Sequence, residues 1–138
     1  MKKFILSAGF LLLVIPFLSA QSSDYKVVFD LTSKDTATHR TVLRWLDGIS
    51  RGTPGAQLEV VLYGQSLGMI TKGKSVVEEE IKKLLANKNI TFRVCNATMQ
   101  RSNVTMDELI PGVESVPDGI YQIITRQGQG WGYIKVGQ

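Results

Sequence analysis

The sequence has almost no cysteine and almost no histidine: one of each in 138 residues, Cys95 and His39. A single thiol cannot close an internal disulfide, so the fold must stand on packing alone. With one histidine, one cysteine and no spaced carboxylate pair on an apolar face, no metal site is expected; "EEE" at Glu78 to Glu80 makes none. Long apolar runs are missing as well. The longest, Phe4 to Leu18, covers 15 residues interrupted by Ser7, Gly9 and Pro16, whereas a spanning helix needs about 20 apolar residues. Neither G-x-x-x-x-G-K-[ST] nor G-x-G-x-x-G occurs, because Gly64, Gly68 and Gly73 in "YGQSLGMITKGKS" have other spacings, and no organic cofactor is expected.

The N-terminus has the layout of a signal peptide over residues 1–20. Lys2 and Lys3 precede the apolar run, and the small residues Ser19 and Ala20 follow it. Cleavage fits after Ala20 or after Ser22, and no cysteine stands there for a lipid anchor. The chain is therefore expected to be periplasmic or secreted, with no membrane span after cleavage. The formal charge of +4 comes from 16 basic and 12 acidic residues. Loss of Lys2 and Lys3 leaves the remainder nearly neutral, which gives no reason to expect a nucleic-acid partner. Asn89, Asn96 and Asn103 each open an N-x-T triplet. Turn and cap roles suit these residues better than glycosylation, and Asn96 is placed to cap a helix.

Residues 21–138 are expected to form a single domain. "YKVVFDL" and "LEVVLYG" are short β-branched runs that predict buried strands. Between them Val42, Trp45, Leu46 and Ile49 recur at helical spacing and predict one amphipathic helix, closed by the Gly52 to Gly55 segment. "SVVEEEIKKLLANKN" repeats the pattern through Val77, Ile81, Leu84 and Leu85, with Ser75 as a cap and Glu78–Lys82 and Glu79–Lys83 pairs on the surface. "ITFRVC" predicts a third strand, and a short helix starts near Ala97. A turn or second short helix follows around Met106 to Leu109, then a short strand at Val113 to Val116. Ile120, Ile123 and Ile124 share the face of a further helix, and "WGYIKVG" closes as a strand. Trp131 and Tyr133 alternate there with neighbouring residues, so one face of the strand is expected to be core and the other an oligomer contact, with core packing for at least one of the two aromatics. Such alternation implies an α/β fold, with a mostly parallel five-stranded sheet covered by helices on both faces.

In such sheets reactive groups gather outside the carboxyl ends of the strands. Cys95 is the last residue of the third predicted strand and stands just before a helix start. Free N–H groups and the positive end of a helix lower a thiol pKa and raise the thiolate fraction. The plainer reading is that "FRVC" simply finishes a core strand, since free cysteine is among the most buried residue types. His39, near the start of the first helix at the same sheet edge, is a candidate base for the thiol, although a solvated polar histidine has the same sequence appearance. The loop beginning at Gly64, Gln65 and Ser66 is expected to wall the pocket that holds Cys95.

The strand ending in Cys95–Asn96, the segment "DELIPGVESVPDGI" and the finish at Gly130, Trp131, Tyr133 and Lys135 resemble the small exported domains of the DsrE-like family (the DsrE/F/H superfamily). "YKVVFDL", a long helix and "LEVVLYG" match its N-terminal half. The resemblance implies a three-layer α/β/α fold, assembly as a homotrimer or larger homo-oligomer, and sulfur carried as a persulfide on the cysteine that matches Cys95. A sulfur donor or acceptor protein would then be a partner. Many exported relatives place a histidine before the glycine after the second strand, where this chain has Tyr63 before Gly64.

Two functions are therefore expected to compete. One is a sulfur carrier or sulfurtransferase-like relay on Cys95, with Asn96 and the N–H groups after it stabilising the thiolate. The other is a non-catalytic oligomeric module with a buried structural Cys95, binding a small ligand or a partner protein through the glycine-bearing loop from Tyr63 to Ser75 and the sheet edge.

Overall fold

The β-branched runs set the sheet. The computed structural model describes residues 25–137, and the signal segment expected at 1–20 lies outside them. Five strands form: β1 (Lys26–Leu31), β2 (Gln57–Leu62), β3 (Ile90–Cys95), β4 (Glu114–Val116) and β5 (Gly132–Val136). They lie in the order β4-β3-β2-β1-β5, and every pairing is parallel. Four helices connect them: α1 (Thr36–Gly52), α2 (Glu78–Leu85), α3 (Asn96–Arg101) and α4 (Gly119–Gly128). Two 3₁₀ segments, Gly64–Ile70 and Met106–Glu108, complete the chain path. The fold is thus α/β with helices on both sheet faces, as expected.

Alternation along each strand divides the side chains between two unlike faces. Val27, Phe29, Leu31, Leu58, Val60, Leu62, Ile90, Phe92 and Val94 point to the side of α1, α2 and α3, where they join Val42, Leu46, Ile81 and Met99 in one continuous core. Phe29 and Phe92 are fully buried there, each contributing about 1.5–3 kcal/mol by its removal from water. The opposite face is covered by α4. Its apolar cluster consists of Val28, Val61 and Ile123, with Tyr63 and Trp131 packed against it.

The helix starts explain the chain reversals. Asp35 caps α1 by accepting from the N–H groups of Ala37 and Thr38, and Asp118 caps α4 by accepting from the Tyr121 N–H. Several local expectations change. Ser75 does not cap α2: its hydroxyl accepts from the Val77 N–H, and the helix begins only at Glu78. Lys82 takes both Glu78 and Glu79 as partners, so the Glu79–Lys83 pair is replaced by an i,i+3 contact. Trp45 lies at the margin of its helical stripe, stacking on Phe29 at 6.4 Å between ring centroids while 41% exposed. Of the three isoleucines expected on one buried face of α4, Ile123 is buried, and Ile120 and Ile124 face outward.

Candidate functional site

β3 delivers Cys95 to the carboxyl edge of the sheet, and the backbone turns directly into α3, with Cys95 itself at the N-cap position. Asn96 therefore does not cap: it is the first helical residue, and its side chain is exposed. The polar groups that act on the thiol are the N–H groups of Gly119, Thr98 and Ala97, together with the Thr98 hydroxyl. Gly119 opens α4, so the starts of two helices separated in sequence meet at one sulfur.

This meeting depends on the missing side chain at Gly119. A Cβ there would stand 3.2 Å from the Cβ of Cys95, 3.3 Å from Val61 Cγ1 and 3.4 Å from Tyr63 Cδ1. Only a residue without a Cβ lets the first turn of α4 approach the cysteine so closely. Cys95 is 5% exposed. Burial pushes its thiol up, but the surrounding N–H donors and the Thr98 hydroxyl outweigh that effect, and the thiol lies below its ordinary value. A buried thiol in wholly apolar surroundings shifts the other way, so the direction here follows from these donors.

Thr98 connects the site to the 3₁₀ segment after β2. Its Oγ1 accepts a hydrogen bond from the Gly64 N–H at 3.2 Å, and Gly64 adopts φ +63, a conformation that glycine tolerates best. Ser66 is fully buried, and its single O–H is shared between the carbonyls of Leu31 and Tyr63, both 2.9 Å from Oγ, so its hydroxyl ties the segment to the ends of β1 and β2. The Gln65 N–H donates to the Thr32 carbonyl at 3.0 Å. Of the loop residues singled out in the sequence, Gly64 reaches the cysteine through Thr98, and Ser66 acts as a brace.

His39 is placed elsewhere. It is buried, with its Nε2 2.8 Å from the Ser33 carbonyl, and it lines a small cavity with Gln65. Its ring is held at the Ser33 carbonyl, and no hydrogen bond joins it to Cys95 among the described residues.

A second polar group, on β1 and next to Tyr63, was not legible in sequence. Asp30, buried in the middle of an apparently apolar run, accepts from the Tyr133 hydroxyl at 2.7 Å and from Lys135 Nζ at 3.1 Å. The Lys135 ammonium also lies 5.7 Å from the centre of the Tyr63 ring. Burial first, and then the neighbouring Asp30 carboxylate, push the Tyr63 phenol up to about 12, so this hydroxyl stays protonated at neutral pH. Tyr63 thus forms an uncharged wall between Gly119 and the Asp30–Lys135 pair. Where many relatives are expected to have a titratable imidazole, this chain has a phenol that does not ionise.

Deeper under α4, Glu59 is fully buried and accepts from Gln122 Nε2 at 2.6 Å and from Arg126 Nη2 at 2.6 Å, with Arg93 Nε 3.5 Å away. Arg93 also reaches Glu114 at 3.1 Å, and Arg126 stacks on Trp131 at 4.4 Å. This network fixes α4 across β2, β3 and β4, and hence fixes where Gly119 meets Cys95. Among the described residues no group of three or more histidines, cysteines and carboxylates could hold a metal, and no helix is long and apolar enough to cross a membrane.

The model of the DsrE/DsrF-like family matches residues 26–136. Among solved structures, the chain is similar to the protein of unknown function MTH1491 from Methanobacterium thermoautotrophicum, at 26% identity and a TM-score of 0.76, over 81% of this chain and 99% of that one. The conserved protein of unknown function BT1422 from Bacteroides thetaiotaomicron matches at 19% identity and a TM-score of 0.66, over 85% and 99% of the two chains. The ychN protein from E. coli matches at 12% identity and a TM-score of 0.63, over 80% and 96%. The last two share the fold. No curated protein matches the chain.

Proposed function

Because the chain belongs to the DsrE/DsrF-like family, we propose that it is a sulfur relay in which Cys95 accepts a sulfur atom as a persulfide and passes it on. The observation that carries this reading is the pair of helix starts that lowers the thiol of a buried cysteine. The Cys95 thiolate attacks the terminal sulfur of a donor persulfide, R–S–SH. The donor S–S bond breaks, R–S⁻ leaves with the electron pair, and Cys95–S–SH forms with no net oxidation. In the return step an acceptor thiolate attacks the same terminal sulfur, and Cys95 leaves as a thiolate. The N–H groups of Gly119, Thr98 and Ala97 favour that leaving group, because a lower leaving-thiol pKa speeds exchange.

The reading includes export, supported by the basic-apolar-small order of residues 1–20. It also includes self-association. Ile120, Tyr121 and Ile124 on α4, with Tyr133 on β5, are large apolar side chains 56%, 72%, 59% and 42% exposed. Their place on the face covered by one helix suits a contact with further copies.

A second reading has its own support. At 5% exposure Cys95 could serve packing alone, in a module that binds a ligand or protein without chemistry. Treatment of the purified protein with a polysulfide, read by intact mass, separates the two. The relay requires added sulfur that reductant removes and that Cys95→Ser abolishes. Absence of any adduct on the native protein, with the thiol reacting only after denaturation, would favour the module.

A further inference from the structure

The histidine that does not reach the cysteine helps to line a different cavity. Lys34, Thr36, His39, Gln65, Gly68, Lys74 and Val76 surround a space of about 120 Å³ between the end of β1, the start of α1 and the 3₁₀ segment after β2. Its charge differs from that of the other clefts. The three along α1 and α2 all include Glu80 beside their lysines or arginines, and the one near the start of β2 contains Glu59. The His39 cavity has two lysines, one imidazole and no carboxylate in its lining.

Asp35, the acid between Lys34 and Thr36 in sequence, is not part of that lining. It directs its carboxylate at the Thr38 N–H and the Thr38 hydroxyl, both at 2.8 Å, as the cap of α1. Glu78, on the far side of the Lys72–Ser75 turn, pairs with Lys82 and accepts from the Gly73 N–H. The Lys34 and Lys74 ammonium groups have neither hydrogen-bond nor ion-pair partners among the described residues. Two unpaired cations at one concavity, beside the amide of Gln65 and the hydroxyl of Thr36, form a local positive potential with neutral donors at hand.

We infer that this cavity is a binding site for a small oxyanion, the class that includes phosphate and the sulfur oxyanions. Its size admits one such ion and excludes a nucleotide. Lys34 and Lys74 supply the charge, Thr36 and Gln65 supply neutral donors, and His39 forms the floor with its Nε2 fixed on the Ser33 carbonyl. The site is separate from the thiol. It shares with it only the 3₁₀ segment, whose Gly64 binds Thr98 and whose Gln65 and Gly68 line the cavity.

The test is an amide-resolved magnetic resonance titration of the purified protein with phosphate, sulfate and thiosulfate, each against sodium chloride of matched ionic strength. Saturable shifts centred on Thr36, Gln65, Gly68 and Lys74 are expected, with the tightest of the three anions identifying the source. The double variant K34Q/K74Q should bind about tenfold more weakly, in keeping with the loss of two partly exposed charges. Its urea midpoint should stay unchanged, since neither side chain is buried. Cys95→Ser should bind like the parent protein, which separates this site from the sulfur chemistry. Shifts that never saturate, that chloride reproduces, or that persist in K34Q/K74Q would overturn the assignment.

Discussion

The two faces of the sheet obey different rules. On the side of α1, α2 and α3 every inward position of the three central strands is apolar, and the layer is continuous. On the side of α4 the same strands present Asp30 and Glu59, both buried, and the edge cysteine, and a single helix covers them. Burying a carboxylate costs several kcal/mol unless it is paired and hydrogen-bonded, so the second face must be specified group by group. Stability resides mainly in the first face and chemistry in the second, and the strands connect them.

The sharpest way to break that division is to damage each face in turn. Phe92→Ala removes a fully buried ring from the apolar face and should cost about 3–5 kcal/mol in urea unfolding. In the fraction that remains folded, sulfur loading of Cys95 should survive. Glu59→Gln on the other face leaves Arg93 and Arg126 without their shared carboxylate. Both arginines can turn partly toward water, so the expected loss is smaller, about 2 kcal/mol. Loading should fall more than the stability loss explains, because α4 loses its anchor.

Gly119→Ala should have the smallest effect on stability and the most specific effect on the thiol. The new methyl meets Cys95, Val61 and Tyr63 within 3.4 Å and should cost about 1 kcal/mol through overpacking. Moving the start of α4 away also removes one N–H from the sulfur, so the alkylation profile of Cys95 should shift to higher pH. An unchanged profile would remove Gly119 from the account.

Much of the fold was legible in the sequence. The five strands and four helices follow their runs and stripes, because burial on both faces demands continuous apolar strands. The position of Cys95 at the end of β3 followed from that order. What was hidden depended on contacts between distant segments. Asp30 and Glu59 stand inside "VVFDL" and "LEVVL", where a strand pattern cannot show that Lys135, Tyr133, Arg126 and Gln122 arrive to pair with them. Gly119 is 24 positions beyond Cys95, and nothing local marks it as the point of closest approach. His39 looked suited to the thiol because both lie at the carboxyl edge, but the α1 turn directs it to the Ser33 carbonyl. Ile120 and Ile124 match a buried stripe by spacing. Only the narrow contact of α4 with Val28 and Val61 explains why Ile123 alone is covered.

The central claim is that donors from two helix starts lower the Cys95 thiol below its ordinary value despite its burial. Its lowered folded-state value implies that this stabilisation is present above the ordinary thiol range and is lost as pH falls through the folded-state value. The most direct test is the ultraviolet absorbance of the native protein against pH, with the Cys95→Ser curve subtracted and the urea-unfolded chain as reference. The account predicts a single thiolate transition whose midpoint lies below that of the unfolded chain. A native midpoint at or above the unfolded one would mean that burial dominates, and Cys95 would then be a packed core residue.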